Sequence, residues 1–365
     1  MTAPPPPAGP SRIPGSVTPS WPAILATLLD RRPLTASDTA WAMEQVVRGA
    51  ATSAQVSGFL IALRAKGETA AEVGGLVSAL QDHATKVTIP GTTVDIVGTG
   101  GDRTGAVNIS TMAAIVAAST GVTVVKHGGR AASSSTGGAA DLIEHLGVSL
   151  DSTPEQAARE AAEAGITFLF APNFNPSLRH VAAVRRELAV PTAFNILGPL
   201  VNPADPRHQV VGVADPRMTP VVAELLAARG LSALVVRGHD GLDKLTTVTT
   251  SQVWVVCDGD VTETLLDPRD LGVPRAEPSA LRGGDAAGNA RVLRAVLGGE
   301  RGPIRDVVLL NAAAALVTVT PSTAPLTDRL AAGMARCAEA VDNGAAEATL
   351  GRWISTNHTD RPSRT

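Results

Sequence analysis

"VDIVGTGGDRTGAVNIST" (residues 94–111) runs from a β-branched strand through a glycine turn into a segment of helical character. A strand that stops in small residues and restarts as a helix aims backbone N–H groups at one point, and the helix dipole favours negative charge there. The stretch is no P-loop, because GxxxxGK[ST] is absent, and Arg103 stands where a dinucleotide fingerprint needs its last glycine. Gly98, Gly100 and Gly101 let the backbone come close to an anion, and Asp102 offers a carboxylate to a hydroxyl or a hydrated cation. Asn108, Ser110 and Thr111 add donors at the helix start. The plainer reading of the same residues is a tight strand-to-helix turn with ordinary caps.

Downstream of this stretch, short apolar strands alternate with Ala-rich segments of helical length. Residues 94–97, 122–125, 167–170 and 234–236 are the strand candidates; 108–119, 139–146 and 154–164 are the helices between them. The alternation predicts an α/β domain with a mainly parallel sheet flanked by helices. Later helices are expected over 286–297, 304–319 and 326–342. Upstream, residues 21–84 read as a small helical domain. Thr35 with Asp38, Thr52 with Gln55 and Thr69 with Glu72 each fit a capping box, and Gly49 and Gly67 stand where helices would stop. Two Pro-punctuated stretches, "FAPNFNPSLRH" (170–180) and "FNILGPLVNPADP" (194–206), interrupt the α/β pattern and read as crossings between domains.

The expected organisation is therefore a Pro-rich disordered tail over 1–20, a helical domain over 21–89 joined by a segment around 174–196, an α/β domain over 90–354, and a flexible end over 355–365. With 365 residues the chain has length for about two domains. Aromatics make up 2% and Tyr is absent, so the core must pack on Ala, Val and Leu. A net charge of −3 with interspersed signs supplies no field for nucleic acid or an acidic membrane. No charge-free apolar run reaches the ~18 residues of a membrane span. The tail has too much Pro and Gly for a signal sequence. Two distant cysteines point to a reduced compartment, and the cytoplasm is the expected location.

Two further motifs carry candidate chemistry. In "VVKHGGRAASSSTGG" (124–138), Lys126 and Arg130 bracket a diglycine and hydroxyls follow at 133–136. Cations and small donors at a strand end suit a pyrophosphate better than a single carboxylate; a solvated Ser-rich loop is the alternative. His127 alone reads as a structural hydrogen-bonder. In "HDGLDKLT" (239–246), Asp240 and Asp243 follow an apolar strand, where acids commonly hold Mg²⁺ beside phosphates, although "DGLD" is also a good turn. Neither a Ser-His-Asp nor a Cys-His arrangement, nor a metal-type Cys/His cluster, is discernible.

Taken together, "GTGGD" (98–102), "NIST" (108–111), "KHGGRAASS" (126–134), "VRREL" (184–188), "FNILGPLVNPA" (194–204), "DGLD" (240–243) and "GGDAAGNA" (283–290) resemble the anthranilate phosphoribosyltransferase family over nearly the whole chain. The resemblance implies a nucleoside phosphorylase/phosphoribosyltransferase-like fold, an active site in the cleft between the domains, a homodimer, and Mg²⁺ as cofactor. It implies phosphoribosyl transfer to anthranilate in tryptophan biosynthesis, with no protein nucleophile. Gly98, Gly101, Asp102, Asn108, Ile109, Ser110, Thr111, Lys126, His127, Gly128, Arg130, Ser133 and Ser134 would hold phosphoribosyl pyrophosphate. Gly98, Gly129 and Arg185 would meet anthranilate, and Ser110 and Asp243 would place the metal.

The chain departs from the family pattern at several of these positions. Gly129 replaces the Asn of "KHGNR", Asn175 replaces the His of an "HP" pair, Ala106 replaces a Thr, and Arg103 replaces a common Gly. Lys244 puts a cation where "DGLDE" has a metal-binding Glu. It can point to solvent, contact pyrophosphate directly, or mark a site that has lost its metal. A paralogue with a changed acceptor or impaired activity, and a non-catalytic binding relative, stand as the alternatives to the leading function.

Overall fold

The computed structural model describes residues 19–130 and 137–358. The expectations for the tail over 1–18, for Ser133 and Ser134, and for 359–365 lie outside the described residues.

Four helices open the chain: α1 (Trp21–Leu29), α2 (Ala36–Val47), α3 (Ser53–Lys66) and α4 (Ala70–Asp82). Thr35, Thr52 and Thr69 each cap a helix through a reciprocal box with Asp38, Gln55 and Glu72. Each box satisfies two backbone N–H groups that a helix start leaves without partners. Glu72 does more: buried, it accepts the Leu34 N–H at 2.8 Å and the Lys66 ammonium at 2.8 Å, tying the α3–α4 corner to the entry of α2.

The second part is a seven-stranded sheet. Its strands are β1 (Thr93–Gly98), β2 (Thr123–Gly128), β3 (Ile166–Phe170), β4 (His208–Gly212), β5 (Ser232–Gly238), β6 (Ser251–Cys257) and β7 (Asp260–Leu266), in the order β3-β2-β1-β4-β5-β6-β7. β1 to β5 pair in parallel; β6 and β7 add an antiparallel hairpin at one edge. The hairpin turn, Asp258-Gly259, has positive φ at both positions, the conformation that matches strand twist in a two-residue loop.

Around and between the strands come α5 (Ile109–Ser119), α6 (Ala139–His145), α7 (Pro154–Ala164), α8 (Ala171–Phe174), α9 (Arg179–Leu188), α10 (Phe194–Leu197), α11 (Met218–Ala228), α12 (Ala286–Leu297), α13 (Pro303–Val319), α14 (Leu326–Asp342) and α15 (Ala345–His358). Alternation along the strands makes two cores. Val94, Ile96, Val210, Leu234 and Val236 pack with α5, α13 and α14 on one face. Val97, Val211, Val213, Ala233 and Val235 on the other face pack with α11 and the opening bundle as one continuous cluster. α9 lies against α2 and α3 and α10 against α4, so these two helices contribute Val181, Val184 and Phe194 to the bundle side.

The chain end differs from the expectation of flexibility after residue 355. Helix α15 continues to His358 because Glu160, buried on α7, accepts hydrogen bonds from the Trp353 indole and the Asn357 amide at 3.1 and 2.8 Å. No helix among the described residues is long and apolar enough to cross a membrane.

Candidate functional site

From β1 the chain goes to β2 on one side, and later returns to β4 on the other. Loops leaving the carboxyl ends of β1 and β4 therefore diverge and leave a crevice, the place where open α/β sheets bind ligands. The loop after β1 and the turn after β5 meet there. A Cβ on Gly98 would lie 2.3 Å from Asp243 Oδ2, and one on Gly212 would lie 1.5 Å from the Asp243 carbonyl oxygen. Only glycine at those two strand ends lets the 240–244 turn cross the sheet edge.

The contacts there are specific. Asp243 Oδ2 accepts the Gly100 N–H at 2.7 Å, and Asp102 Oδ1 accepts the Thr104 N–H at 3.1 Å. Gly105 accepts the Gly283 N–H at 2.8 Å, and Val107 donates to Leu281 at 2.9 Å, so the "GGD" segment closes the outer side of the loop, where Ala106 bridges Arg282. Arg103 has φ +57°, a left-handed position that suits the glycine it replaces.

Asn108 precedes α5 but its side chain makes no cap. It accepts from Asn289 at 2.7 Å and donates to the Gly137 carbonyl at 3.4 Å. The hydroxyl of Thr111, on a residue 1% exposed, has no partner among the described residues. Ile109 is fully buried in the core, and its N–H donates to the Val107 carbonyl at 2.6 Å. At this helix start the Thr111 and Met112 N–H groups donate to the Asn108 carbonyl at 3.0 and 3.1 Å.

Lys126 enters from β2. Its ammonium donates to the Ile96 carbonyl at 2.7 Å and reaches Ser110 Oγ at 3.4 Å. Burial lowers its pKa to about 8, opposed by Asp95 beneath it. Burial raises the Asp95 carboxyl to about 6, against the pull of Lys126 and the Asn202 amide. Asn202 Nδ2 donates to Asp95 Oδ2 and to the Val125 carbonyl, both at 2.8 Å, bracing β1 and β2 side by side.

Lys244 does not point to solvent. Its ammonium lies on Asp243 Oδ1 and 3.9 Å from Asp102 Oδ2. Burial works against the charge, but the carboxylates of Asp243 and Asp102 outweigh it and hold the lysine above its ordinary pKa. Burial also tends to raise Asp102, yet the Lys244 ammonium and hydrogen bonds from Asp243 and Thr104 bring its carboxyl below the usual value. Asp240 stays apart, accepting from Thr246 Oγ1 at 2.7 Å.

These residues fit a protein-held Mg²⁺ poorly. The ion requires a near-octahedral oxygen shell, and one Asp243 oxygen already carries an ammonium while the other accepts Gly100. At ~4 Å and an effective dielectric constant of about 20, repulsion between Lys244 and Mg²⁺ would be roughly 8 kcal/mol before screening. Among the described residues no group of three or more His, Cys, Asp or Glu side chains forms an alternative site.

Other expected residues are placed differently. The His127 ring is buried, with Nδ1 3.0 Å from the Gly198 carbonyl and Nε2 3.2 Å from Asn175 Nδ2. The carbonyl requires a proton on Nδ1, so Nε2 accepts from Asn175. Burial lowers the imidazole to about 4. The ring is neutral and engaged, leaving His127 and Gly128 only their main chain for a ligand. Arg130 turns its guanidinium to Asp141 and Glu144 of α6, at 2.6 and 2.8 Å. Arg185, on α9, stacks over Phe194 at 5.7 Å with no carboxylate against it among the described residues, and burial of the guanidinium lowers its pKa. A Cβ on Gly129 would meet nothing within 4 Å. Asp95, Asn202 and Asn289 do not stand out in the sequence, because their partners lie far along the chain.

Known proteins share this arrangement. The helical bundle domain of the glycosyl transferase family matches residues 22–84, and the α/β domain of that family matches residues 90–347. Anthranilate phosphoribosyltransferase of Salinispora arenicola is 57% identical over 347 residues, 94% of this chain and 98% of its own. The crystal structure of anthranilate phosphoribosyltransferase (TrpD) from Thermus thermophilus superposes with a TM-score of 0.84 at 38% identity, covering 92% of this chain and 99% of that one. The Saccharomyces cerevisiae enzyme in complex with PRPP and Mg gives 0.82 at 28%, covering 92% and 97%. With a bundle, a sheet and a glycine loop that match along almost their full length, the chain belongs to the anthranilate phosphoribosyltransferase family.

Proposed function

We propose that this chain transfers the phosphoribosyl group of phosphoribosyl pyrophosphate to the amino nitrogen of anthranilate, a step of tryptophan biosynthesis. The observation that carries the reading is the meeting of the 98–111 loop, Lys126 and the 240–244 turn over the sheet's switch point. The C1–O bond to pyrophosphate breaks, the C1–N bond forms, and the amine releases a proton to solvent. No protein nucleophile is required. The loop N–H groups, the start of α5 and the Lys126 ammonium stabilise charge on the departing pyrophosphate, while Arg185 takes the acceptor carboxylate.

The reading places acceptor and donor at the seam between the bundle, with its 174–196 segment, and the 90–354 domain. Gly98, Gly101, Asp102, Asn108, Ser110 and Thr111 would line the donor side; Gly129 and Arg185 the acceptor side. Mg²⁺ accompanies PRPP in the yeast relative; in this chain Ser110 and Asp243 are the oxygens that would face it, with Lys244 already upon Asp243. A homodimer fits the outward apolar side chains of Leu29 and Ile61, 77% and 41% exposed on the adjoining helices α1 and α3. A cytoplasmic setting accords with two free thiols, Cys257 and Cys337.

Loss of anthranilate fluorescence, with both substrates and Mg²⁺ present, measures the activity directly; no turnover would remove the reading. A wider acceptor range is the second reading, favoured by the lack of any described residue within 4 Å of a Cβ at Gly129, and turnover of bulkier aminobenzoates tests it.

A further inference from the structure

We propose that the Lys244 ammonium is a resident counter-cation of the donor site, lying between Asp102 and Asp243 and occupying the carboxylate that would otherwise face a divalent ion. The inference rests on the reading that a sugar pyrophosphate binds here. Lys244 approaches from the 240–244 turn, its side chain 17% exposed and so largely withdrawn from bulk water. It lies on Asp243 Oδ1, and Asp102 Oδ2 is 3.9 Å away. Asp243 cannot turn aside, since its other oxygen is bound to the Gly100 N–H and Gly98 leaves it only the space a hydrogen occupies.

The two carboxylates that face the donor loop would repel a pyrophosphate if left bare. One ammonium between them neutralises much of that repulsion and still has an N–H to give, because an ammonium has three donors. Lys126, 3.4 Å from Ser110 Oγ, supplies a second cation from the opposite side. The donor would thus lie between two lysines, and the protein would supply by side chain a charge that a bound metal would otherwise bring. The consequence is weak dependence of donor binding on Mg²⁺.

Calorimetric titration of the full chain with phosphoribosyl pyrophosphate, in saturating Mg²⁺ and in metal-free buffer, tests this. Wild type is expected to lose less than about threefold in affinity without metal, whereas Lys244→Met should lose at least ~10-fold in the same metal-free buffer. A second arm counts Mn²⁺ bound at saturating donor by electron paramagnetic resonance; Lys244→Glu should hold more per chain than wild type. Donor binding by wild type that vanishes without metal, or equal Mn²⁺ counts in the two proteins, would overturn the proposal while leaving the donor reading intact. Absence of donor binding by wild type even in saturating Mg²⁺ would remove both.

Discussion

Asn289 of α12 donates a side-chain N–H to Asn108 Oδ1 across 2.7 Å, and its own Oδ1 accepts the Gly284 N–H at 2.8 Å. The first bond fixes which way the Asn108 amide faces at the start of α5; the second holds the "GGD" segment. Asn289→Ala should cost about 1–3 kcal/mol of stability by stranding these groups, and raise the donor KM. Asn289→Asp keeps the acceptor for Gly284 but forces Asn108 to turn its amide round. It should recover stability and not KM. Recovery of both by the aspartate would show that Asn108's orientation is immaterial.

Gly98 is required by contact rather than by backbone angle. Gly98→Ala would place a methyl 2.3 Å from Asp243 Oδ2, and the displaced acid has no alternative place within the turn. The expected cost is about 1–3 kcal/mol, with a large loss of donor affinity. Thermal unfolding and donor titration of the same sample check it, and unaltered donor affinity would contradict the placement of Asp243.

Arg185 offers a guanidinium with an aromatic floor and, among the described residues, no acid beside it. A charge-assisted pair to the acceptor carboxylate is worth about 1.5–3 kcal/mol, so Arg185→Ala should raise the anthranilate KM ~10- to 100-fold. The donor KM should stay as it was, and Arg185→Lys should recover only part of the loss. Equal changes in both constants would mean that the arginine shapes the fold instead.

His127 and Asp95 act oppositely on stability in acid. Burial lowers the imidazole from 6.5 to about 4, so its contribution is whole above pH 6.5 and lost as pH falls through 4, about 3 kcal/mol in all. Burial raises the Asp95 carboxyl from 3.8 to about 6. Its contribution is whole below 3.8 and lost as pH rises through 6, so acidification returns much of what His127 removes. Asp95→Asn deletes the opposing group. Denaturant midpoints followed from about pH 7 to 4 should fall more steeply for the variant than for wild type; parallel slopes would contradict the assignment.

Local chemistry is legible in the sequence, and distant pairing is not. The boxes at Thr35, Thr52 and Thr69 are read within four residues and are present in the structure. The strands at 94–97 and 167–170 announce themselves as apolar runs and form β1 and β3. β6 and β7 escape that reading, although Asp258-Gly259 between β-rich runs is a hairpin signal, because Gln252, Thr262 and Glu263 mask an edge that is half exposed. The end of α15 looks like a polar tail because Asn357 is polar; it is buried, and its partner Glu160 lies 197 residues away. The same kind of distance hides Asn202, which braces Asp95 from 107 residues on. Lys244 is conspicuous as a misplaced cation, but only the geometry shows its ammonium on Asp243, a partner the sequence does not suggest.

The central claim is that an activated sugar lies over the carboxyl end of β1, at the sheet's switch point, held by the loop after β1. A crystal structure of the chain soaked with phosphoribosyl pyrophosphate and anthranilate tests it most directly. The account predicts pyrophosphate oxygens within hydrogen-bond distance of the 99–105 amides and the Lys126 ammonium, with the aminobenzoate carboxylate against Arg185. Donor density at another surface, or an unliganded loop under saturating donor, would contradict it.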